Sequence, residues 1–272
     1  MACRTSHDVS PPTRSVAMNL SRYWNIVFYR ALAGVKAESR QNYLGYLWYL
    51  LEPVLSTVIL YFAFAKVMGR GGADYVMFLL IGLTTWQWYE GACLQAASSL
   101  KLKLHILQHF DLPKFLFPLV SVLVSTWKFV CVSGVVVASL MVVGHRPGLN
   151  YFYLPAIFGC ELLLILSVAI PLAVIVTYVN DAMTLATSSF RILFFVSGIF
   201  FDTDKVPVAQ RGLFYANPIA GIIESFRNVL LKDLPPNWDA LLRGAVQSTV
   251  VLALGLWLCH HINRRIMKHV AP

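Results

Sequence analysis

The chain has 272 residues, 58% of them hydrophobic and only 13% charged, with a formal net charge of +9. A soluble domain carries about 25% charged residues, so the composition excludes a soluble enzyme and leaves little room for a soluble domain beside membrane helices. A positive balance on so apolar a chain points to anionic lipid head groups and cytoplasmic loops. No RNA- or DNA-binding pattern accompanies it, and nucleic acid is not expected as a partner.

Residues 1–20 read as a disordered polar tail, without the apolar core of a cleaved secretory peptide. Residues 21–40 then form an amphipathic pattern. Trp24, Val27, Phe28, Ala31, Leu32 and Val35 share one helical face, and Arg22, Tyr29, Lys36 and Arg40 the other. A basic face opposite a Trp/Phe face suits a helix lying in the membrane interface. Six apolar runs follow, at 43–68, 75–97, 115–143, 151–178, 183–201 and 241–262, each near the ~20 residues that a crossing needs. The expected fold is therefore all-α, with six transmembrane helices after an interfacial one. Glu52 and Pro53 fall early in the first run. A residue before proline is pushed off the helical region, so a straight helix is not expected there, and a kinked helix start is the plainer reading.

The connections are short except one. Residues 69–74 are glycine-rich, 98–114 carry Lys101, Lys103, His105, His109 and Asp111, and 144–150 hold a Pro-Gly turn. Residues 202–240 are the long connection. Within it 213–231, LFYANPIAGIIESFRNVLL, is apolar enough to suggest a seventh crossing. Asn217, Pro218, Glu224 and Arg227 interrupt it, and irregular backbone at membrane depth needs protein or water beside it. The expectation is a re-entrant region at 206–232, two short helices broken at Asn217-Pro218. Glu224 and Arg227, at i and i+3, could pair on one helix. Lys and Arg gather in the tail, in 98–114 and in Arg264, Arg265 and Lys268. With both termini cytoplasmic, six crossings put these on one side.

Chemistry-bearing motifs are sparse. There is no GxxxxGK[ST], so no nucleotide cofactor is expected on this chain. His105 and His109 stand at i and i+4, but Ile106 occupies the position where a zinc hydrolase needs Glu. Asp202-Thr203-Asp204 resembles a metal-binding D-x-D, yet an acidic turn is the better reading, and no metal site is expected. The five cysteines have no CxxC spacing. Glu90, Lys128, Glu161 and Arg191 lie inside apolar runs, where charges are costly and face a cavity or a partner; Lys128 and Glu161 are placed to pair. Trp86, Trp88 and Tyr89 fall deep in the second run, roughly 16–21 Å from its end, too deep for an interfacial belt. At 100° per residue Trp86 and Tyr89 share a face that Trp88 does not. Phe194, Phe195, Phe200 and Phe201 cluster in the fifth run. Aromatic faces can stack on sugar rings, against the alternative of plain core and lipid-facing packing.

The order of these parts carries a resemblance. A basic amphipathic helix, YLGYLWYLLEP, six apolar runs, FFVSGIFF and then YANPIAGIIESFRNVLL is similar to the membrane subunit of ABC-2 type polysaccharide exporters, first those of capsular polysaccharide, then those of O-antigen and teichoic acid. The resemblance spans nearly everything after residue 21. It implies a homodimer in the bacterial inner membrane, bound to two copies of a separate ATPase that holds the ATP and magnesium. The loop 98–114, with Lys101, Lys103 and Asp111, and the N-terminal helix, with Arg30 and Lys36, would face that ATPase. Trp86 and Tyr89 would then line the substrate path, with Phe200 and Phe201 ringing the outer exit beside Asn217, Pro218, Glu224 and Arg227. A lipid-linked polysaccharide is the implied cargo, and a periplasmic co-polymerase or adaptor and an outer-membrane exporter are further partners that such systems use. A small-molecule efflux permease of the same class is the runner-up. A lipid-linked sugar transferase would need clustered carboxylates or histidines at one membrane face, and none is evident.

Overall fold

The computed structural model describes residues 29, 34, 47–68, 72–102, 115–179, 181–202, 207, 212 and 214–269. Among these there is no strand. The helices are α1 Leu47–Met68, α2 Ala73–Leu102, α3 Leu116–Val143, α4 Leu154–Tyr178 preceded by a 3₁₀ turn at Leu149–Tyr153, α5 Ala182–Val196, α6 Pro218–Leu230 and α7 Trp238–His269. The tail, the interfacial pattern at 21–40 apart from Tyr29 and Gly34, residues 103–114 and most of 203–213 lie outside the described residues.

α2 is the centre of the bundle. It packs against α1, α3, α4, α5 and α6, and Leu79, Leu83, Trp86, Ala92, Cys93 and Ala96 along it are almost wholly enclosed. A helix that is buried nearly all round needs no apolar stripe; of its polar residues, Gln87 and Gln95 are met by Ser56 of α1 and Ser125 of α3, while Thr84 donates to the Leu80 carbonyl of its own helix. Among the described residues, three helical segments are long and apolar enough to cross a membrane: Leu116–Val143, Leu149–Tyr178 and Trp238–Trp257. The most apolar parts of the first and fifth runs, Leu51–Ala63 and Ala182–Val196, are shorter. α6 has 13 residues, a rise of about 20 Å against a hydrocarbon core of ~30 Å.

Three local features differ from expectation. α1 runs unbroken through Pro53. The missing proline N–H removes one helical bond, and burial of Pro53 against the bundle favours keeping the helix, while Thr57 Oγ1 donates to the Pro53 carbonyl at 2.7 Å. α5 stops at Val196, short of residue 201, because Gly198 takes φ 74°, a left-handed conformation that a helix cannot continue through and that glycine adopts at little cost. Finally, Glu224 and Arg227 do not pair; each faces a different neighbour, as described below.

The remaining turns follow their local chemistry. Gly144, at φ 106°, ends α3 with its N–H on the Leu140 and Met141 carbonyls, a left-handed glycine cap. Asn217 is extended and Pro218 opens α6, where proline's missing N–H costs nothing. α7 lies tightly on α4: a Cβ added at Gly255 would sit 2.6 Å from Pro171 Cγ, so only glycine lets the two backbones approach this closely. At the end of the bundle where α2 begins, His145 lies 3.7 Å from Asp74. There too, Asn150 Nδ2 donates to the Asp233 carbonyl at 2.6 Å.

Candidate functional site

Three groupings lie along α2, and its helical phase separates them. Trp86 and Tyr89 share one face and meet α5. Their rings pack edge-on at 5.6 Å between centroids, and Phe190 stands edge-on to both, at 6.3 and 5.4 Å. The contact continues from Trp86 to Phe194 at 5.7 Å and from Phe194 to Phe200 at 5.2 Å. Phe201 turns onto Phe214 at 5.8 Å. An aromatic seam thus runs from the middle of α2 to the end of α5. Trp86 is 1% exposed, Tyr89 6% and Phe200 8%, so within one protomer in this conformation none offers a broad free surface. Phe195, 59% exposed and stacked on Phe200 at 5.9 Å, is where the seam surfaces. Edge-to-face pairs of this kind contribute about 1 kcal/mol each beyond burial.

The second grouping anchors α6. Arg227, 4% exposed, donates through Nη1 to the Gly198 carbonyl at 2.8 Å, through Nη2 to the Ile199 carbonyl at 2.7 Å and through Nε to the Phe78 carbonyl at 3.2 Å. Its guanidinium also lies over the Phe78 ring, 3.4 Å from the centroid. A cation just beyond the C-terminus of α5 suits the carbonyl end of a helix. Gly82 makes the space, since a Cβ there would collide with Arg227 Nη2. Glu224 points elsewhere, accepting from Tyr215 Oη at 2.8 Å and from Asn237 Nδ2 at 3.3 Å. Asn217 Nδ2 donates to Ser197 Oγ at 2.9 Å. The turn at 197–201 is therefore held from two sides by α6 and its leading residue. Asp202 pairs with Lys232 at 2.9 Å, which gives the first acidic residue of the D-x-D a structural partner; Thr203 and Asp204 lie outside the described residues.

The third grouping is a recess of about 460 Å³ between α1, α2 and α3. Glu52, Glu90 and Lys128 all line it, with Gln87, Gln95 and Ser125. Gln87 Nε2 donates to Ser56 Oγ at 3.3 Å and Ser125 Oγ to Gln95 Oε1 at 2.6 Å, so its walls are cross-linked. Trp86 Nε1 donates to Glu90 Oε2 at 2.7 Å, joining the recess to the aromatic seam. Lys128 therefore belongs to this recess. No hydrogen bond joins it to Glu161, which is 0% exposed with neither carboxyl oxygen hydrogen-bonded among the described residues. The expected Lys128–Glu161 pair is not formed, because the two residues face different sides of the bundle core. Arg191 is exposed on α5.

The sequence singled out Glu52, Glu90 and Lys128 separately and missed their convergence. The signal was present as a polar and small stripe, Gln87, Gly91 and Gln95 at four-residue spacing, opposite Ser121, Ser125 and Lys128 at three- and four-residue spacing. Of the residues expected to meet an ATPase, Lys101 is exposed near the end of α2; Lys103, Asp111, Arg30 and Lys36 lie outside the described residues.

A family model described as ABC-2 type transporter matches residues 33–231. The chain is 25% identical over 251 residues to a Klebsiella pneumoniae protein named O-antigen export system permease protein RfbA, covering 92% of this chain and 96% of that protein. A second Klebsiella pneumoniae protein of that name is 25% identical over 214 residues, 78% of this chain and 83% of its own length. A Myxococcus xanthus protein of the same name is 23% identical over 220 residues, 80% of this chain and 85% of its own length.

Proposed function

We infer the function of this chain from one premise: it belongs to the ABC-2 type transporter family. It is a membrane permease, a transport component whose ATP is hydrolysed in a separate subunit. From there we propose that it exports a lipid-linked polysaccharide across the bacterial inner membrane, as a homodimer bound to two ATPase copies. The observation that carries this reading is the near end-to-end similarity to proteins named for O-antigen export. Those names favour O-antigen as the polysaccharide class, with capsular polysaccharide the alternative that the sequence resemblance raised and teichoic acid a third.

In this proposal α1 to α5 and α7 are the six crossings, both termini are cytoplasmic, and α6 dips into the outer leaflet without crossing. Its 13 residues and its Asn217-Pro218 start support that assignment. The sugar path follows the aromatic seam. Because Trp86 and Tyr89 are enclosed by α5, they meet the glycan when α5 moves off α2. Phe200 and Phe201 then stand at the exit beside Asn217, Pro218, Glu224 and Arg227. Stacking suits a polymer in transit, since each contact is worth about 1 kcal/mol and tolerates changes of register. Lys101, Lys103 and Asp111, with Arg30 and Lys36, receive the ATPase. A periplasmic adaptor and an outer-membrane exporter complete the route. The experiment is purification of the chain from cells making its polymer: co-purification of an ATPase with trapped lipid-linked glycan supports the proposal. An ATPase with no glycan, and hydrolysis stimulated only by small amphiphiles, favours the drug-efflux alternative.

A further inference from the structure

α7 is longer than a membrane crossing. Its 32 residues, Trp238–His269, rise about 48 Å against a hydrocarbon core of ~30 Å. The part apolar enough to cross is Trp238–Trp257, and both tryptophans are exposed. They stand roughly 29 Å apart along the axis, the spacing of the two aromatic belts of a bilayer. That match leaves little room for tilt, so the helix after Trp257 leaves the membrane close to its normal.

α4 sets the same level. Tyr153, just before α4, packs edge-on to Trp238 at 5.5 Å, and Gly255 backs onto Pro171, so the two helices run side by side in one sense. α4 ends at Tyr178, level with about Ile262 of α7, and helical backbone continues to His269, about 10 Å further. Arg264, Arg265 and Lys268 fall on this extension. With His261 they stand at i, i+3, i+4 and i+7, one stripe of a helix. His261 is exposed, its ring stacked on Trp257 at 5.5 Å, so the stripe starts at the membrane surface. No Asp or Glu follows Asp239 in the sequence. Arg264 lies about 10 Å and Lys268 about 16 Å past Trp257, beyond the ~5–8 Å of head-group layer on each face of a bilayer. Orienting the chain needs basic residues near a crossing but requires neither a continued helix nor a shared stripe. The other long segments on that side in the proposed topology, 21–46 and 98–114, each hold more Lys and Arg than Asp and Glu, so the counter-charge comes from another molecule.

We propose that the end of α7, residues 258–269, is a docking helix for an acidic surface of the ATPase subunit, with His261, Arg264, Arg265 and Lys268 as its contact stripe. This rests on the reading of the chain as a permease with a separate ATPase and a cytoplasmic C-terminal end. It adds the last helix to the contacts expected at 98–114 and at the N-terminal helix.

Titration of the purified ATPase onto the full chain in detergent tests it. Reversing the stripe with Arg264→Glu, Arg265→Glu and Lys268→Glu together should weaken ATPase binding about tenfold and lessen its dependence on ionic strength. A photo-crosslinking residue at His261, in an otherwise wild-type chain, should capture the ATPase in the complex; this measurement does not depend on how the charge-reversed chain inserts. Unchanged affinity in the triple variant, or capture of phospholipid in place of ATPase at position 261, would each overturn the proposal and leave the permease reading standing. A wild-type chain that binds no ATPase would overturn both.

Discussion

Replacing Arg227 by methionine keeps an unbranched apolar stem and removes the charged guanidinium. Three main-chain carbonyls, of Phe78, Gly198 and Ile199, then lose a donor at 3.2, 2.8 and 2.7 Å, and the Phe78 ring loses the guanidinium above it. Hydrogen bonds from a charged donor are worth about 1.5–3 kcal/mol each, but they act as a unit and part of the loss is recovered by relaxation. The net cost should be about 3–5 kcal/mol, the range for breaking a buried charged contact. For a chain of this size that lowers the midpoint of thermal unfolding by roughly 10 °C. The loss should be local first. Amide hydrogen exchange should rise at 197–201, which Arg227 and Asn217 hold, before it rises in α3 or α4. Arg227→Lys keeps the charge but cannot fork to several carbonyls, so it should recover part of the stability. Gly82→Ala should mimic Arg227→Met, since its Cβ takes the space of Nη2. A shift under 2 °C for Arg227→Met, with exchange at 197–201 unchanged, would refute the clamp.

Trp86→Ala and Tyr89→Ala should lower polymer export after correction for inserted protein; each also removes a buried ring at about 3–5 kcal/mol of stability, so complex yield must be measured beside export. Normal corrected export in both would make the rings core packing only. Charge reversal at Lys101 and Lys103 should weaken ATPase co-purification while the chain still inserts; unchanged association would move the contact elsewhere, toward the N-terminal helix. A reporter fused after Pro272 should read as cytoplasmic, and a periplasmic signal there would sink the six-crossing count.

Hydrophobic runs made the helices legible, because a membrane segment announces itself by length and apolarity alone. α3, α4 and α7 needed nothing more. α2 was legible as a run, but its role as the central helix was not, since burial on all sides is a tertiary fact. The helix wheel correctly separated Trp86 and Tyr89 from Trp88, and the structure puts them against α5 and Phe129 respectively. It could not say which neighbour each face would meet, or that α5 would enclose Trp86. The i, i+3 spacing of Glu224 and Arg227 suggested a pair for the same reason. Spacing reports proximity along one helix, whereas Arg227 found stronger partners in the carbonyls freed where α5 ends at Gly198. Lys128 and Glu161 likewise sit on helices adjacent in sequence but face different sides of the core. Charges in the apolar runs were thus visible as anomalies, and only the packing assigned Glu52, Glu90 and Lys128 to one recess.

The proposed activity is ATP-driven movement of a lipid-linked polysaccharide through this chain. The direct measurement reconstitutes the purified permease with its ATPase in vesicles loaded on the ATPase side with fluorescently tagged lipid-linked glycan. Polymer reaching the opposite face is scored by its susceptibility to an added glycosidase. Digestion should appear only with ATP and both subunits, and fall with Tyr89→Ala. Protection of the glycan throughout, in vesicles whose ATPase is active, would contradict it.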